Sequence, residues 1–211
     1  MVNGDGIEAT FRRLSHCRSN VAYIPETIKW QAKLRSGEKW GTLSRWSQSR
    51  AMLPFVERLQ GTQDDPPLGA EADYLLFPLN RQEPCKHWVL AALDLRTKQF
   101  TLLDSYARKD KGATLAKAEI EMLQEYLDHL SEREHDKPID WADSLFPAEQ
   151  PPQQYALSDK AKKRPGIDCG LFCLFYAVAL SYGGELTFSQ EDMPVLRERA
   201  AQLVVGYTSV F

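Results

Sequence analysis

The sequence has no apolar run long enough to span a bilayer, which excludes a bilayer-crossing helix. Its opening, MVNGDGIEATFRRL, holds no apolar stretch of the signal-peptide kind, so export by that route is not expected. Neither sign of charge dominates: a net charge of −3 argues against a broad electrostatic surface for nucleic acid. Cysteine is scarce. The four present are Cys17, Cys85, Cys169 and Cys173, and their spacing suggests neither a disulfide framework nor paired C-x-x-C zinc knuckles. Reduced thiols are therefore expected. Histidine is as scarce, with His16, His87, His129 and His135 only, so the candidate Cys–His pairs are few. No internal repeat or low-complexity tract interrupts the chain.

What is present suits a soluble globular domain. Hydrophobic residues make up 43% and charged residues 26%, and five Trp, eight Tyr and nine Phe supply a core. At 211 residues there is room for one sizeable domain. Gly6–Leu14 and Met52–Leu59 read as helices, and Gly61–Gly69 reads as a loop. Asp73–Leu79, Trp88–Leu95 and Gln99–Asp104 are apolar runs of strand length, the last two at hairpin spacing across Arg96–Lys98. Thr114–Leu130 carries apolar residues at Leu115, Ala118, Met122, Leu123, Tyr126, Leu127 and Leu130, the spacing of an amphipathic helix. Residues 131–166 are polar and proline-bearing and read mostly as loop. Gly170–Tyr182 is apolar on nearly every side, so a buried helix is expected, stopped at Gly183-Gly184. Ser189 with Asp192 resembles a capping box before a last helix, Glu191–Val204.

Three residues in this layout can carry chemistry. His87 opens one strand of the hairpin and Asp104 closes the next, so antiparallel pairing sets an imidazole beside a carboxylate. That is the orienting half of a nucleophilic triad, in which the acid holds the His tautomer and steadies the imidazolium. Cys169 stands where the buried helix begins, in Ile167-Asp168-Cys169-Gly170. A thiol there feels the positive end of the helix dipole and free N–H groups, both of which favour thiolate. Gly170 admits a close backbone approach, and neighbouring N–H groups can face an oxyanion. Each residue also has an ordinary reading. His87 can be a strand-end surface residue, Asp104-Ser105 a turn, and Cys169 an inert buried thiol. Cys173, one turn further in, reads as core, and Cys17 and Cys85 as incidental.

Taken together, Phe77-Pro78-Leu79-Asn80, His87-Trp88, Leu103-Asp104-Ser105 and Asp168-Cys169-Gly170 resemble the signature of the ubiquitin-like-protein proteases. These are the SUMO-specific (sentrin-specific) cysteine proteases and their relatives. The likeness runs from about Asp73 to Val204 and includes Ser189-Gln190-Glu191-Asp192-Met193-Pro194. It implies a papain-like α+β fold, with a central Cys-bearing helix packed on a mixed or antiparallel sheet that carries His and Asp. On this resemblance Cys169 is the nucleophile, His87 the general base and then acid, and Asp104 its orienter. Trp88, Asp168 and Gly170 fall on the substrate side, with Trp88 roofing a narrow channel for a Gly-Gly tail. Only residues without side chains thread such a slot.

The sequence departs from the family pattern in two places. Where the family carries an oxyanion-hole Gln, five or six residues before the Cys, stand Arg164 and Lys163. Upstream, Pro152-Gln153-Gln154 resembles the family's Pro-Gln-Gln, which nominates Gln154 as the donor with an inserted loop after it and Lys163 as the rival. The basic run Lys160, Lys162, Lys163, Arg164 lies in that insertion and reads as solvated loop. The family's opening Trp-Leu-Asn-Asp has only a faint echo in Val2–Ile7. Residues 1–211 are expected to form one catalytic domain, such as a longer protein can contain.

The resemblance implies a cysteine isopeptidase that removes a ubiquitin-like modifier, SUMO first, with no metal and no cofactor. The expected partners are SUMO or another ubiquitin-like modifier and its conjugates, without nucleic acid or membrane, and the chain is expected to be a monomer. The nucleus or cytoplasm is the expected location, in a host cell for a delivered effector. The competing readings are a deubiquitinase of the same fold, an effector-type acetyltransferase using the same triad, and a non-catalytic modifier-binding module.

Overall fold

Strands β1 (Val21–Tyr23), β2 (Tyr74–Arg81), β3 (His87–Asp94) and β4 (Gln99–Leu103) form one mixed sheet in chain order. β1 runs parallel to β2, and β2, β3 and β4 are antiparallel neighbours. The helices are α1 (Ser49–Gln60), α2 (Gly112–His135), α3 (Cys169–Tyr182) and α4 (Met193–Val205). The computed structural model describes residues 9–12, 14, 21–24, 49–61, 72–81, 87–105, 112–146 and 168–205. Residues 9–12 and 14 are helical, within the expected first helix.

The sheet is covered on both faces, which explains why its strands read as nearly continuous apolar runs rather than alternating ones. Side chains alternate across a strand. Leu75, Phe77, Leu79, Val89, Ala91, Leu93, Phe100 and Leu102 therefore share one core with α1 and α2. Leu76, Trp88, Leu90, Ala92 and Leu103 share the other with α3 and Met193 and Leu196 of α4. The result is the papain-like α+β arrangement: a central helix, α3, against a mixed sheet.

Local chemistry sets several boundaries. The β3–β4 turn is held by Asp94, whose Oδ1 accepts from the N–H of Arg96 at 2.8 Å and of Thr97 at 3.0 Å. At the other edge, the Ile24 N–H donates to the Leu76 carbonyl at 3.0 Å. The next bond of a parallel ladder would come from the N–H of residue 78, and Pro78 has none. The parallel pairing with β2 accordingly ends at Tyr23↔Leu76. α3 stops at Gly183, which adopts φ 62° and donates to the Leu180 carbonyl, while the Gly184 N–H donates to that of Ala179.

Three expectations need correction. α2 runs on to His135, where a loop was expected from residue 131. Its last turn has a polar outer face, while Ser131 is buried and donates to the Lys137 carbonyl at 2.8 Å. The buried stripe of α2 is also rotated in its first half. Ala116, Glu119 and Ile120 face inward with Leu123, Tyr126, Leu127 and Leu130, whereas Ala118 is exposed. The last helix, expected over Glu191–Val204, is split. The Ser189/Asp192 capping box opens a 3-10 turn, Gln190–Asp192, and α4 follows from Met193.

Candidate active site

The register of the hairpin positions the first two groups. Leu90 pairs with Leu103, and continuing that register sets Asp104 opposite Val89, two residues along from His87. The pair is therefore diagonal rather than directly opposed, still within side-chain reach. His87 Nε2–H donates to Asp104 Oδ1 at 2.7 Å, and both side chains are almost fully buried, at 3% and 1% exposure. With Nε2 committed to the carboxylate, Nδ1 is the ring nitrogen left to exchange a proton with a nucleophile.

That nucleophile comes from α3. The helix packs on β3, shares one core with Trp88, Leu90 and Ala92 of that strand, and begins at Cys169. Cys169 interacts with the His87 imidazole, and its sulfur accepts from the backbone N–H groups of Trp88 and Gly170. Burial pushes this thiol up. The imidazole and the two N–H groups outweigh burial and bring it below its usual 9.0. The imidazole moves the opposite way. Burial pushes His87 down, yet its hydrogen bond to Asp104, the neighbouring Cys169 sulfur and the charges of both raise it from 6.5 to about 9. The two shifts reinforce each other and favour the thiolate–imidazolium form of the pair.

Trp88, Asp168 and Gly170, the residues expected on the substrate side, are all buried. Trp88 is buried in the same apolar cluster as Cys169. The Asp168 carboxylate accepts from Gln190 Nε2 at 2.8 Å and is ion-paired with Arg197 of α4, so it ties the start of α3 to the C-terminal helix. Gly170 is buried in the first turn of α3. Cys173 is fully buried, and burial holds its thiol well above the usual range, which suits core. Gln153, Gln154, Lys160, Lys162, Lys163, Arg164, Cys17 and Cys85 lie outside the described residues.

Two charged residues were missed in the sequence. Arg81, the last residue of β2, donates from Nη1 to Asp104 Oδ2 at 2.5 Å. It also grips Glu119 of α2, through Nε to Oε1 at 2.8 Å and Nη2 to Oε2 at 2.6 Å. No sequence signal marked Glu119: the expected stripe of α2 ran through Leu115, Ala118 and Met122, and only the observed phase turns Glu119 inward, where a buried carboxylate demands a cation.

A thiol at a helix start, an imidazole and a carboxylate, held in that order on this scaffold, form a papain-like Cys–His–Asp arrangement. Residues 35–205 match the Ulp1 protease family, C-terminal catalytic domain, and the chain belongs to that family. Among curated relatives it is 23% identical over 170 residues to ubiquitin-like-specific protease 1A of Arabidopsis thaliana, covering 81% of this chain and 28% of that one. It is 30% identical over 132 residues to human sentrin-specific protease 2, covering 61% of this chain and 19% of the relative. The chain thus spans less than a third of the length of either. In fold it is similar to the C-terminal Ulp1 protease domain solved in complex with Smt3, the yeast ortholog of SUMO. That match has a TM-score of 0.61 at 20% identity and covers 99% of this chain and 78% of that one.

Proposed function

We propose that this chain is a thiol isopeptidase that cleaves after the C-terminal Gly-Gly of a ubiquitin-like modifier, SUMO first, releasing it from a lysine side chain. The observation that carries the reading is the buried Cys169–His87–Asp104 relay with opposed shifts on its thiol and imidazole. The choice of modifier is supported by the relatives, one named sentrin-specific and one ubiquitin-like-specific.

In this reading the Cys169 thiolate attacks the carbonyl carbon of the terminal glycine, and the electron pair of the C=O moves onto oxygen. Backbone N–H groups at the start of α3 face that oxyanion, and Gln154 is our candidate for the side-chain donor. The tetrahedral intermediate collapses with loss of the lysine amine, which takes the proton from His87 Nδ1. A thioester remains on Cys169. Water then attacks it while His87 takes the proton, and the freed thiolate leaves as the modifier carboxylate forms. Asp104 keeps Nε2–H pointed away from the thiol throughout.

A panel of modifiers bearing an electrophile at the C-terminal glycine tests this. The expected result is fastest labelling by the SUMO probe, mapped to Cys169 and lost in Cys169→Ala. Faster labelling by the ubiquitin probe would move the reading to a deubiquitinase. Labelling at Cys17, Cys85 or Cys173, or by no modifier, would overturn it in favour of an acyl transferase or a non-cleaving binding module.

A further inference from the structure

The triad ends in an ion pair that none of its own chemistry requires. Asp104 has two carboxylate oxygens. Oδ1 takes the imidazole, and Oδ2 takes Arg81 Nη1. Arg81 turns the remaining edge of its guanidinium to both oxygens of Glu119 in a two-point fork. All of this is buried: the side chains of Arg81, Asp104 and Glu119 are 7%, 1% and 9% exposed. The charged and titratable groups set against Asp104 come from four elements: His87 on β3, Arg81 on β2, Glu119 on α2 through Arg81, and Cys169 and Cys173 on α3.

We propose that Arg81 and Glu119 are positioning residues, which lock the rotamer of Asp104 and set how much of its charge His87 feels. The inference rests on the reading of Cys169, His87 and Asp104 as the reacting triad. Its physics comes from the alternation of charge along the chain of contacts: thiolate, imidazolium, carboxylate, guanidinium, carboxylate. A guanidinium alone beside Asp104 would cancel much of the negative potential that steadies the imidazolium. Glu119 neutralises the guanidinium, so Arg81 can hold Asp104 by geometry without taking its charge away from His87. The fork matters as well, because only a planar guanidinium reaches two carboxylates on separate elements at once, and an ammonium does not. β2 and α2 are thereby tied to the end of β4 behind the imidazole.

Two variants separate the two roles. Glu119→Gln keeps the size and shape of the side chain, leaves one of the two acceptors of the fork and removes one charge. The unneutralised guanidinium then opposes the imidazolium, so the His87 midpoint, followed by NMR of the ring nitrogens, should fall from about 9 by roughly one unit. Glu119→Asp, which keeps the charge, should restore most of that shift. Arg81→Lys keeps the cation and loses the fork. It should leave the His87 midpoint near its starting value and lower kcat on the order of 10-fold to 100-fold with KM little changed. An unmoved His87 midpoint in folded Glu119→Gln would overturn the electrostatic role, and full kcat in Arg81→Lys would overturn the positioning role. The NMR midpoint needs no modifier, so it stands even if the modifier reading fails. A pair that served only the fold would lower the unfolding midpoint and leave both the His87 titration and the kcat per titrated site unchanged.

Discussion

At the scale of single residues, two opposed shifts set the pH behaviour. The Cys169 thiol lies below 9.0, and the His87 imidazole is raised from 6.5 to about 9. The thiolate–imidazolium form is lost on the acid side as the thiolate gains a proton and on the alkaline side as His87 gives one up. kcat/KM should therefore fall on the alkaline side as pH rises through about 9 and on the acid side as the thiolate gains its proton below 9.0. The sign for stability follows from the same value. A folded imidazole raised above its unfolded 6.5 contributes stability that is complete below about 6.5 and is lost as pH rises through about 9. Asp104→Asn removes the strongest group that raises His87. Its alkaline limb should move toward 6.5, and its rate should drop by about 10⁴ as the tautomer is lost. A variant with near-normal turnover and an unmoved limb would mean that another group orients His87. Cys169, His87 and Asp104 each mark a boundary, at a helix start or a strand end, yet each had an ordinary reading taken singly, and it was the joint resemblance of their motifs to one family that made them legible in the sequence. Arg81 and Glu119 were not. Their contact joins β2 to α2 across 38 residues, and no local rule links them.

At the scale of elements, legibility followed how much of an element's environment is local. The β3–β4 hairpin was readable because Asp94 and the turn after it fix it within a few residues. Its centre lies one residue beyond the midpoint of His87 and Asp104, which sets Asp104 opposite Val89 and turns a facing pair into a diagonal one. The phase of α2 was harder. Ala116, Ile120 and the stripe below them face α1 and the sheet, and Ala118 is as apolar in sequence as Ala116 but points to solvent. The end of α3 was plain from Gly183-Gly184. Gly183 sits at φ 62° with no heavy atom close to an added Cβ, so Gly183→Ala meets a backbone penalty and no clash. We expect a loss of about 1 kcal/mol of stability by denaturant unfolding, with kcat per titrated site unchanged. A neutral or stabilising result would show that this turn relaxes out of the left-handed region.

At the scale of the whole molecule, one sheet is the wall between two cores. The core with α3 carries the nucleophile, and the core with α1 and α2 carries Glu119 and the fork behind the imidazole. The site is assembled from both layers through the ends of β2, β3 and β4, so its integrity depends on the sheet and not on either core alone. Phe100 tests this. It is fully buried on the α1–α2 side, against Phe77 and Trp141, on the face of the sheet away from Cys169. Phe100→Ala should cost about 3–5 kcal/mol, the usual range for emptying an aromatic site in a core. For a domain of this size that is a fall of roughly 6–20 °C in Tm. Because both cores share the strands, the loss should appear as a single transition, with tryptophan fluorescence and far-UV circular dichroism coinciding. The surviving folded fraction should still label at Cys169 at the normal rate per site. Two separated transitions, or a Cys169 that stops reacting while the sheet remains folded, would mean that the layers unfold independently and that the sheet does not couple them.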